Sequence, residues 1–379
     1  MKCIINGKVV LKDAIAENLA VIFDDKIQKI AELKDINTAD YEIIDAKGNF
    51  VCPGLVDMHI HGYLGADVSD GDAYGIKKMA EGIIKNGVTA WCPTTMTVSK
   101  KEIEDAFDAV REVKNSTEYY GARILGVNSE GPFINPSKKG AQAEEHILRP
   151  DADFILANKD IVKLFTVAPE VDGALDAIEK VAKDGSVLVS MGHTNATFEE
   201  ANKGIEKGVK HTTHLFNAMT PLQHRAPGVV GAALNSDVSA EVIVDTFHVD
   251  ASFYNMLWKL KGRKLCFITD CLPAGGLPEG EYTLGGQKII YKGIVCRLED
   301  GTVAGSVLHL NRGVWNVYTN SDIPLYECVN CASLNPATVI GMDKTKGSLD
   351  TGKDADIIIT DTDFEVKKTI IAGEIKYEA

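Results

Sequence analysis

Residues 54–62, GLVDMHIHG, contain a short apolar strand, LVDMHI, with one histidine near its end and a second directly after it. From about Cys52 to Gly341, similar apolar segments alternate with helical ones, the pattern that predicts a parallel sheet with crossover helices. Seven more strands are predicted: VTAWCPT, RILGVNSE, KLFTVAP, VLVSMGH, KHTTHLF, AEVIVDTFH and LCFITD. Eight strands favour an α/β protein with a (β/α)8 TIM-like barrel. An open doubly wound sheet is the alternative, although the first strand is not followed by the Gly-x-Gly-x-x-Gly of a dinucleotide site.

Helical periods lie between these strands. They occur in DAYGIKKMAEGIIKNG, KEIEDAFDAVREVKN, GALDAIEKVAKDG and FEEANKGIEKG, and several of these segments end in a glycine where a helix C-cap is expected. The alternation of strands and helices therefore extends along the whole middle of the chain.

Both ends of the chain have short alternating strands and turns without a helical period. Near the N-terminus, Asn6 and Gly7 form a hairpin signal, because both residue types tolerate a positive φ. Neither end has enough apolar surface to be stable alone. We therefore expect residues 1–51 and 343–379 to form one small β-sandwich domain beside a barrel domain of residues 52–342.

Composition excludes several classes of protein. Of the 379 residues, 25% are charged and 45% hydrophobic, as in an ordinary globular chain. The net charge of −14 argues against nucleic acid as a partner, and we find no apolar run of the roughly 18 residues that a membrane span needs. We find no signal peptide either, so a cytoplasmic enzyme is expected.

The eight cysteines are scattered along the chain and are expected to be buried thiols. Cys328 and Cys331 form a lone C-x-x-C in LYECVNCASL, whose apolar spacing is helical. Because no second pair accompanies them, we favour a buried helix over a zinc or redox site.

Histidines and carboxylates collect at the predicted strand ends. Alternate residues of a strand point the same way, so His59 and His61 can reach one cation. Five of the other seven strands supply, at or near their ends, Glu130, His193, His214, His248 and Asp270. Since the C-terminal strand ends of a barrel converge on one mouth, these side chains are expected to meet there. His211, three residues before His214, is expected to face the other way and not to bind metal.

Imidazole and carboxylate ligands without thiolates suit Zn²⁺, Fe²⁺ or Mn²⁺. Five ligands, His59, His61, Glu130, His193 and His214, exceed the three protein ligands of a typical open zinc site, so two metals bridged by Glu130 would use them better. A bound cation activates water and polarises a carbonyl, and Asp270 is placed to take the proton of the water and return it to the leaving group. The pattern therefore predicts a metal-dependent hydrolase.

Seven motifs carry a more specific resemblance: GLVDMHIHG, SEGPF, GHTNAT, HTTHLFNAM, RAPGVVGA, TDCLPAGG and GSLDTGKDADIII. In this order, from about residue 50 to the C-terminus, they resemble the N-acetylglucosamine-6-phosphate deacetylase family of the amidohydrolase superfamily. The resemblance implies a barrel with a small β-sandwich from both termini, and removal of acetate from N-acetylglucosamine 6-phosphate. It also implies that Glu130, His193 and His214 bind a divalent metal, Zn²⁺ or Fe²⁺, and that Asp270 is the catalytic acid/base. Only some members have the pair that His59 and His61 match, so one or two metals are implied.

The same resemblance implies a set of substrate contacts. They are Ala141, Gln142, Asn217, Ala218, Arg225, His248, Val303, Ala304 and Gly305. Arg225 and His248 are the natural phosphate partners, because a guanidinium pairs two N–H groups with two oxygens. In the family the arginine can come from the neighbouring subunit, which implies a homodimer. Gln142 departs from the family, where a histidine usually helps to hold the reacting carbonyl; an amide can donate one hydrogen bond but no proton.

Three alternatives remain open. The substrate is the epimeric N-acetylgalactosamine 6-phosphate, or the protein is a non-catalytic binding module on the same fold, or it hydrolyses another amide, such as a cyclic imide or a dipeptide. SEGPF argues against the last, because those enzymes usually have a bridging lysine in place of the glutamate.

Overall fold

The computed structural model describes residues 1–116 and 121–379. All eight predicted barrel strands are present, the third in two segments. They are Leu55–Ile60, Val88–Thr95, Arg123–Ile124 with Val127–Ser129, Val162–Val167, Leu188–Met191, His211–Thr212, Ser239–Ile243 and Leu265–Ile268. Neighbouring strands pair in parallel. Backbone bonds of 2.9 Å from Asp270 N–H to His59 O and from His61 N–H to Cys271 O close the ring. The (β/α)8 barrel is confirmed.

The helices lie outside the strands. Their bounds are Ala73–Ile83, Lys100–Asn115, Ala152–Ala157, Ala174–Asp184, Phe198–Lys207, Gly228–Leu234, Tyr254–Lys261, Leu310–Thr319, Leu325–Cys331 and Leu334–Val339. The four helices predicted from periodicity are among them. Local signals set their ends: the Ser99 hydroxyl accepts from the Glu102 N–H at the start of Lys100–Asn115, and Gly185 ends Ala174–Asp184 with a φ of 77°.

The barrel has apolar packing on both sides of its strands. Inside, buried residues such as Met58, Leu164, Ile243 and Ile268 form one cluster. Outside, a larger cluster packs the strands against the helices. Because the interior is filled with side chains, functional groups that a ligand can reach lie at the mouth of the strands.

The two chain ends form one sheet beside the barrel, as expected. Its strands lie in the order Glu374–Glu378, Val366–Ile371, Ile357–Thr360, Phe50–Pro53, Lys2–Val10, Ile15–Phe23 and Ile27–Glu32, and Glu42–Asp45 pairs with Lys2–Val10. The sheet has apolar clusters of its own, one of them containing Val21, Phe23 and Ile357. Phe50–Pro53 pairs with Ile357–Thr360, so this sheet extends to Pro53. The division into residues 1–51 plus 343–379 and 52–342 stays a prediction.

The hairpin expected at Asn6 and Gly7 is wrong. Strand Lys2–Val10 passes through both residues, and its pairing with the next strand shifts register on either side of Gly7. Asn6 has a φ of 56°, so its left-handed conformation serves a β-bulge rather than a turn. A side chain at residue 7 would come within 2.5 Å of Val51, which explains the glycine.

A three-stranded antiparallel sheet, which we did not expect, follows the last barrel strand. Its strands are Gly280–Leu284, Gln287–Lys292 and Val295–Leu298. The Gln287 side chain donates to Ala141 O at 2.7 Å, and Gly285 N–H donates to the Asp67 carboxylate at 3.2 Å. These bonds hold the insertion, residues 280–298, against loops of the barrel mouth.

The cysteines are buried and unpaired, as expected. Cys328 and Cys331 lie in helix Leu325–Cys331, and the candidate metal-binding groups of the described residues contain no thiol. In the same ranges, residues 1–116 and 121–379, we find no helix with the length and apolar character of a bilayer span.

Candidate metal and active site

The barrel mouth brings together the residues predicted at the strand ends. Glu130 directly follows Val127–Ser129, and His193 and Asp270 each come two residues after a strand. His193, His214 and Asp270 have positive φ values of 45°, 28° and 50°, which such residues rarely adopt. Unusual backbone of this kind is often found at functional sites, and here it aims three side chains into the mouth.

Glu130, His193 and His214 form the first group able to hold a metal. Glu130 Oε1 lies 3.2 Å from His193 Nε2 and 2.9 Å from His214 Nε2. The two imidazole nitrogens are 3.1 Å apart. All three side chains are buried, so a cation between them would be shielded from solvent.

His59, His61 and Asp270 form the second group. His59 Nε2 lies 3.2 Å from His61 Nε2, and Asp270 Oδ1 lies 3.4 Å and 3.2 Å from these two atoms. The two groups meet at Glu130, since its Oε2 lies 3.2 Å from His61 Nε2 and its Oε1 lies 3.5 Å from His59 Nε2. Glu130 is therefore positioned between the two groups.

The remaining ring nitrogens show how the histidines are oriented. His61 Nδ1 lies 3.2 Å from Thr94 O, His193 Nδ1 lies 2.8 Å from Lys138 O, and His59 Nδ1 lies 2.9 Å from Glu241 Oε2. An Nδ1–H that donates outward leaves the Nε2 lone pair directed at the cluster, the arrangement usual for metal-binding histidines. His214 Nδ1 is the exception, with no hydrogen-bond partner among the described residues. The donor set fits a divalent metal in both groups.

The electrostatics of the cluster favour a cation. Burial would raise the pKa of Glu130, but His193 and His59 outweigh it and hold that pKa well below its usual range. Burial likewise opposes ionisation of Asp270, yet its hydrogen bond to His61 and the nearby histidines lower its pKa. Burial would lower the pKa of His59, whereas the carboxylates, Glu241 foremost, raise it to about 9. Ionised carboxylates thus concentrate negative charge around the two groups.

A cavity of about 340 Å³ opens above the cluster. Its walls include Glu130, His193, His214, His61 and Asp270, together with seven of the predicted substrate contacts: Ala141, Gln142, Asn217, Ala218, His248, Val303 and Gly305. Leu284, from the insertion 280–298, and Leu272 add apolar surface. Two predicted contacts do not line it: Ala304 is fully buried between Val303 and Gly305, and Arg225 lies in an exposed loop.

From AEVIVDTFH we had expected His248 to end a strand, and this prediction is wrong. The strand stops at Ile243, and the next residues form a loop organised by Asp245. One oxygen of Asp245 accepts from the backbone N–H groups of Phe247 and His248, and the other lies 2.7 Å from His248 Nδ1. Thr246, with a φ of 68°, completes the turn. The loop still brings His248 to the cavity wall.

Gln142 makes two short contacts beside the metal groups. Its Nε2 donates to Glu130 Oε2 at 2.6 Å, and its Oε1 accepts from Thr97 N–H at 2.6 Å. The side chain is only 2% exposed. In this conformation the amide holds the glutamate that lies between the two groups.

Two features of the site were not predicted from the sequence. Glu241 is a fully buried carboxylate against His59 and His211, and its signal was a charged residue inside an otherwise apolar barrel strand. His211 is buried and lies outside both metal groups, but it does not face away from the site as we had expected, because its Nε2 lies 3.2 Å from Glu241 Oε1, an oxygen of the carboxylate that contacts His59. The other feature is the insertion 280–298, whose alternating segment EYTLGGQKIIYKGIVCRL carries hairpin signals.

Comparisons with known proteins agree with this geometry. The model of the amidohydrolase family matches residues 50–376. The chain belongs to the amidohydrolase family. Among relatives of this amidohydrolase, an N-acetylglucosamine-6-phosphate deacetylase from Bacillus subtilis (strain 168) is 35% identical over 378 residues, covering 97% of this chain and 95% of its own. An N-acetylgalactosamine-6-phosphate deacetylase from Escherichia coli O157:H7 is 32% identical over 359 residues, covering 93% and 95%.

A crystal structure shares the complete fold. The N-acetylglucosamine-6-phosphate deacetylase from Pasteurella multocida superimposes with a TM-score of 0.94 and 31% identity, covering 100% of both chains. The amidohydrolase family uses divalent metals, and this chain has two groups of residues that can hold one. Family, fold and donor set therefore agree on a metal-dependent hydrolase of amide bonds.

Proposed function

We propose that this amidohydrolase removes the acetyl group of N-acetylglucosamine 6-phosphate, giving glucosamine 6-phosphate and acetate. The observation that carries the proposal is the Glu130-centred cluster, with Asp270 beside it, at the base of a cavity lined by most of the expected substrate contacts. The relatives reported above, which act on acetylated amino-sugar phosphates, support the choice of substrate.

In the proposed reaction Asp270 carries the proton. Its pKa is lowered, so it is a carboxylate ready to accept the proton of the attacking water. The water oxygen bonds to the acetyl carbon, the C–N bond breaks, and Asp270 returns the proton to the leaving nitrogen. Asp270 borders the cavity and belongs to the second metal group, where an attacking water and the amide can both come within its reach.

We assign Glu130, His193 and His214 to one divalent metal, Zn²⁺ or Fe²⁺, and His59 and His61 to a second. Bound there, such a cation would polarise the acetyl carbonyl and lower the pKa of water towards about 7. The burial of the ligands and the apolar side chains of Leu272 and Leu284 on the cavity wall limit the access of bulk water to such a cation.

We assign the sugar phosphate to the outer cavity. Asn217 and Ala218 follow His214 on the wall, and His248 is held in place there by Asp245. His248 is proposed to contact the phosphate, with Arg225 as its second partner. Val303 and Gly305 also line the cavity, with Ala304 buried between them, and the backbone of this turn is proposed to contact the sugar.

The decisive experiment measures acetate release from paired substrates. N-acetylglucosamine 6-phosphate, its galacto epimer and unphosphorylated N-acetylglucosamine are compared by kcat/KM, with metal counted in the same preparation and Asp270→Asn as the control. We expect the gluco phosphate to be preferred, with little turnover without phosphate. Preference for the galacto epimer would identify N-acetylgalactosamine 6-phosphate as the substrate instead. If none of the three compounds releases acetate with added Zn²⁺ or Fe²⁺, the proposal is refuted.

We also propose that the enzyme is a cytoplasmic homodimer in which Arg225 completes the site of the neighbouring subunit. The position of Arg225 in an exposed loop away from the cavity of its own chain supports this. Mixing Arg225→Ala with Asp270→Asn tests it. If Arg225 acts across the interface, a mixed dimer contains one site with both wild-type residues, and activity returns. If it acts within its own chain, the mixture stays inactive.

A further inference from the structure

Glu241 is a carboxylate of the site that the proposed reaction does not use. It is in the middle of strand Ser239–Ile243, is fully buried, and faces the underside of the metal cluster rather than the cavity. A buried carboxylate is costly unless it is paired, because it loses its hydration. The contacts of Glu241 are therefore expected to compensate for this loss of hydration.

One oxygen of Glu241 joins the two metal groups. Glu241 Oε2 lies 2.9 Å from His59 Nδ1, and it also accepts the backbone N–H of His214 at 3.1 Å. His59 belongs to the second group and His214 to the first. A single atom thus anchors one ligand of each group.

The other oxygen lies beside His211. Glu241 Oε1 lies 3.2 Å from His211 Nε2, and His211 Nδ1 lies 2.6 Å from Ser239 Oγ. The Ser239 hydroxyl in turn donates to Lys210 O at 3.1 Å. The contacts from Lys210 through Ser239 hold the His211 ring at ion-pair distance from this oxygen, while Oε2 makes the hydrogen bonds to the metal groups.

We infer that Glu241 is the positioning residue of the metal centre: it holds His59 with Nε2 directed at the cation and fixes the backbone of His214 in register with it. The inference rests on the proposed metal site. A carboxylate that accepts the outward N–H of a metal-binding histidine fixes the ring and increases its basicity, and loss of such a partner typically weakens metal affinity or activity about 10- to 100-fold.

The test is Zn²⁺ affinity, measured by chelator competition on the metal-stripped full-length protein. Glu241→Gln keeps the shape but removes the charge, and we expect the affinity of the weaker of two Zn²⁺ ions to fall about 10- to 100-fold. At saturating Zn²⁺ much of kcat should remain, because Asp270 and the cavity are unchanged. The matched control is Asp356→Asn, another buried carboxylate, which accepts from Lys346 beside the terminal sheet at 2.5 Å and does not touch the site.

Unchanged affinity in Glu241→Gln, an equal loss in Asp356→Asn, or a wild type that binds only one Zn²⁺ would overturn the inference. If Glu241→Gln does not fold, Ser239→Ala, which loosens His211, should shift the same affinity in the same direction; no shift would also overturn it. Because binding is measured without substrate, a wild type that takes up two Zn²⁺ but releases no acetate would refute the proposed function and leave this inference standing.

Discussion

Gln142 offers a quantitative test of the site, because its two hydrogen bonds are buried and short. Replacing it with leucine keeps most of the volume but removes the donor to Glu130 and the acceptor for Thr97 N–H, both at 2.6 Å. A hydrogen bond to a charged group contributes about 1.5–3 kcal/mol, and a buried N–H left unpaired costs about 1–3 kcal/mol. Gln142→Leu should therefore destabilise the protein by about 2.5–6 kcal/mol.

The assay is urea unfolding of the chelator-treated protein, so that metal binding does not add to stability. Gln28→Leu is the matched control, because the Gln28 amide donates to Asp24 at 2.7 Å on the exposed surface. Its loss should cost no more than about 0.5 kcal/mol, as for most surface changes. A cost for Gln142→Leu below about 1 kcal/mol, or equal to that of Gln28→Leu, would refute the role of Gln142 in holding Glu130.

Three further predictions follow from the site and from one buried lysine. Asp270→Asn removes the base, so kcat should fall about 10²- to 10⁴-fold while one metal is retained; near-normal kcat would refute the role of Asp270. His61→Asn should reduce the bound Zn²⁺ from two ions to one, whereas Glu130→Gln, which disturbs both groups, should lose both ions. Elemental analysis measures the metal content, and equal Zn²⁺ content in the two variants would contradict the prediction. Burial lowers the pKa of Lys261 from 10.5 to about 8, so the folded state binds fewer protons than the unfolded state in that window. The free energy of unfolding of the wild type, measured with denaturant, should therefore rise by about 3 kcal/mol relative to that of Lys261→Met as the pH increases from about 8 to 10.5. If the difference between the two proteins stays constant over this range, the lowered pKa of Lys261 is refuted.

Much of the fold follows from local patterns. Strands such as Leu55–Ile60 and Leu265–Ile268 are short apolar segments between helical periods, and capping residues such as Ser99 and Gly185 mark the helix ends. These signals act over a few residues, so they are visible without any tertiary contact. The Asn6–Gly7 pair shows the limit of these local signals, because a residue in the left-handed conformation fits both a turn and a β-bulge. The pairing of this strand with Ile15–Phe23 makes it a bulge.

The sequence by itself determined which side chains would gather at the barrel mouth, because parallel strands must present their C-terminal ends on one side. His59, Glu130, His193, His214 and Asp270 were found in this way. Only the tertiary structure decided how they are held. Glu241 of the seventh barrel strand meets His59 of the first, 182 residues away in the chain, and Gln142 turns its amide to Glu130. Periodicity shows which face a residue occupies, whereas these contacts depend on strand register, loop path and side-chain rotamer, and those are set by packing the whole chain.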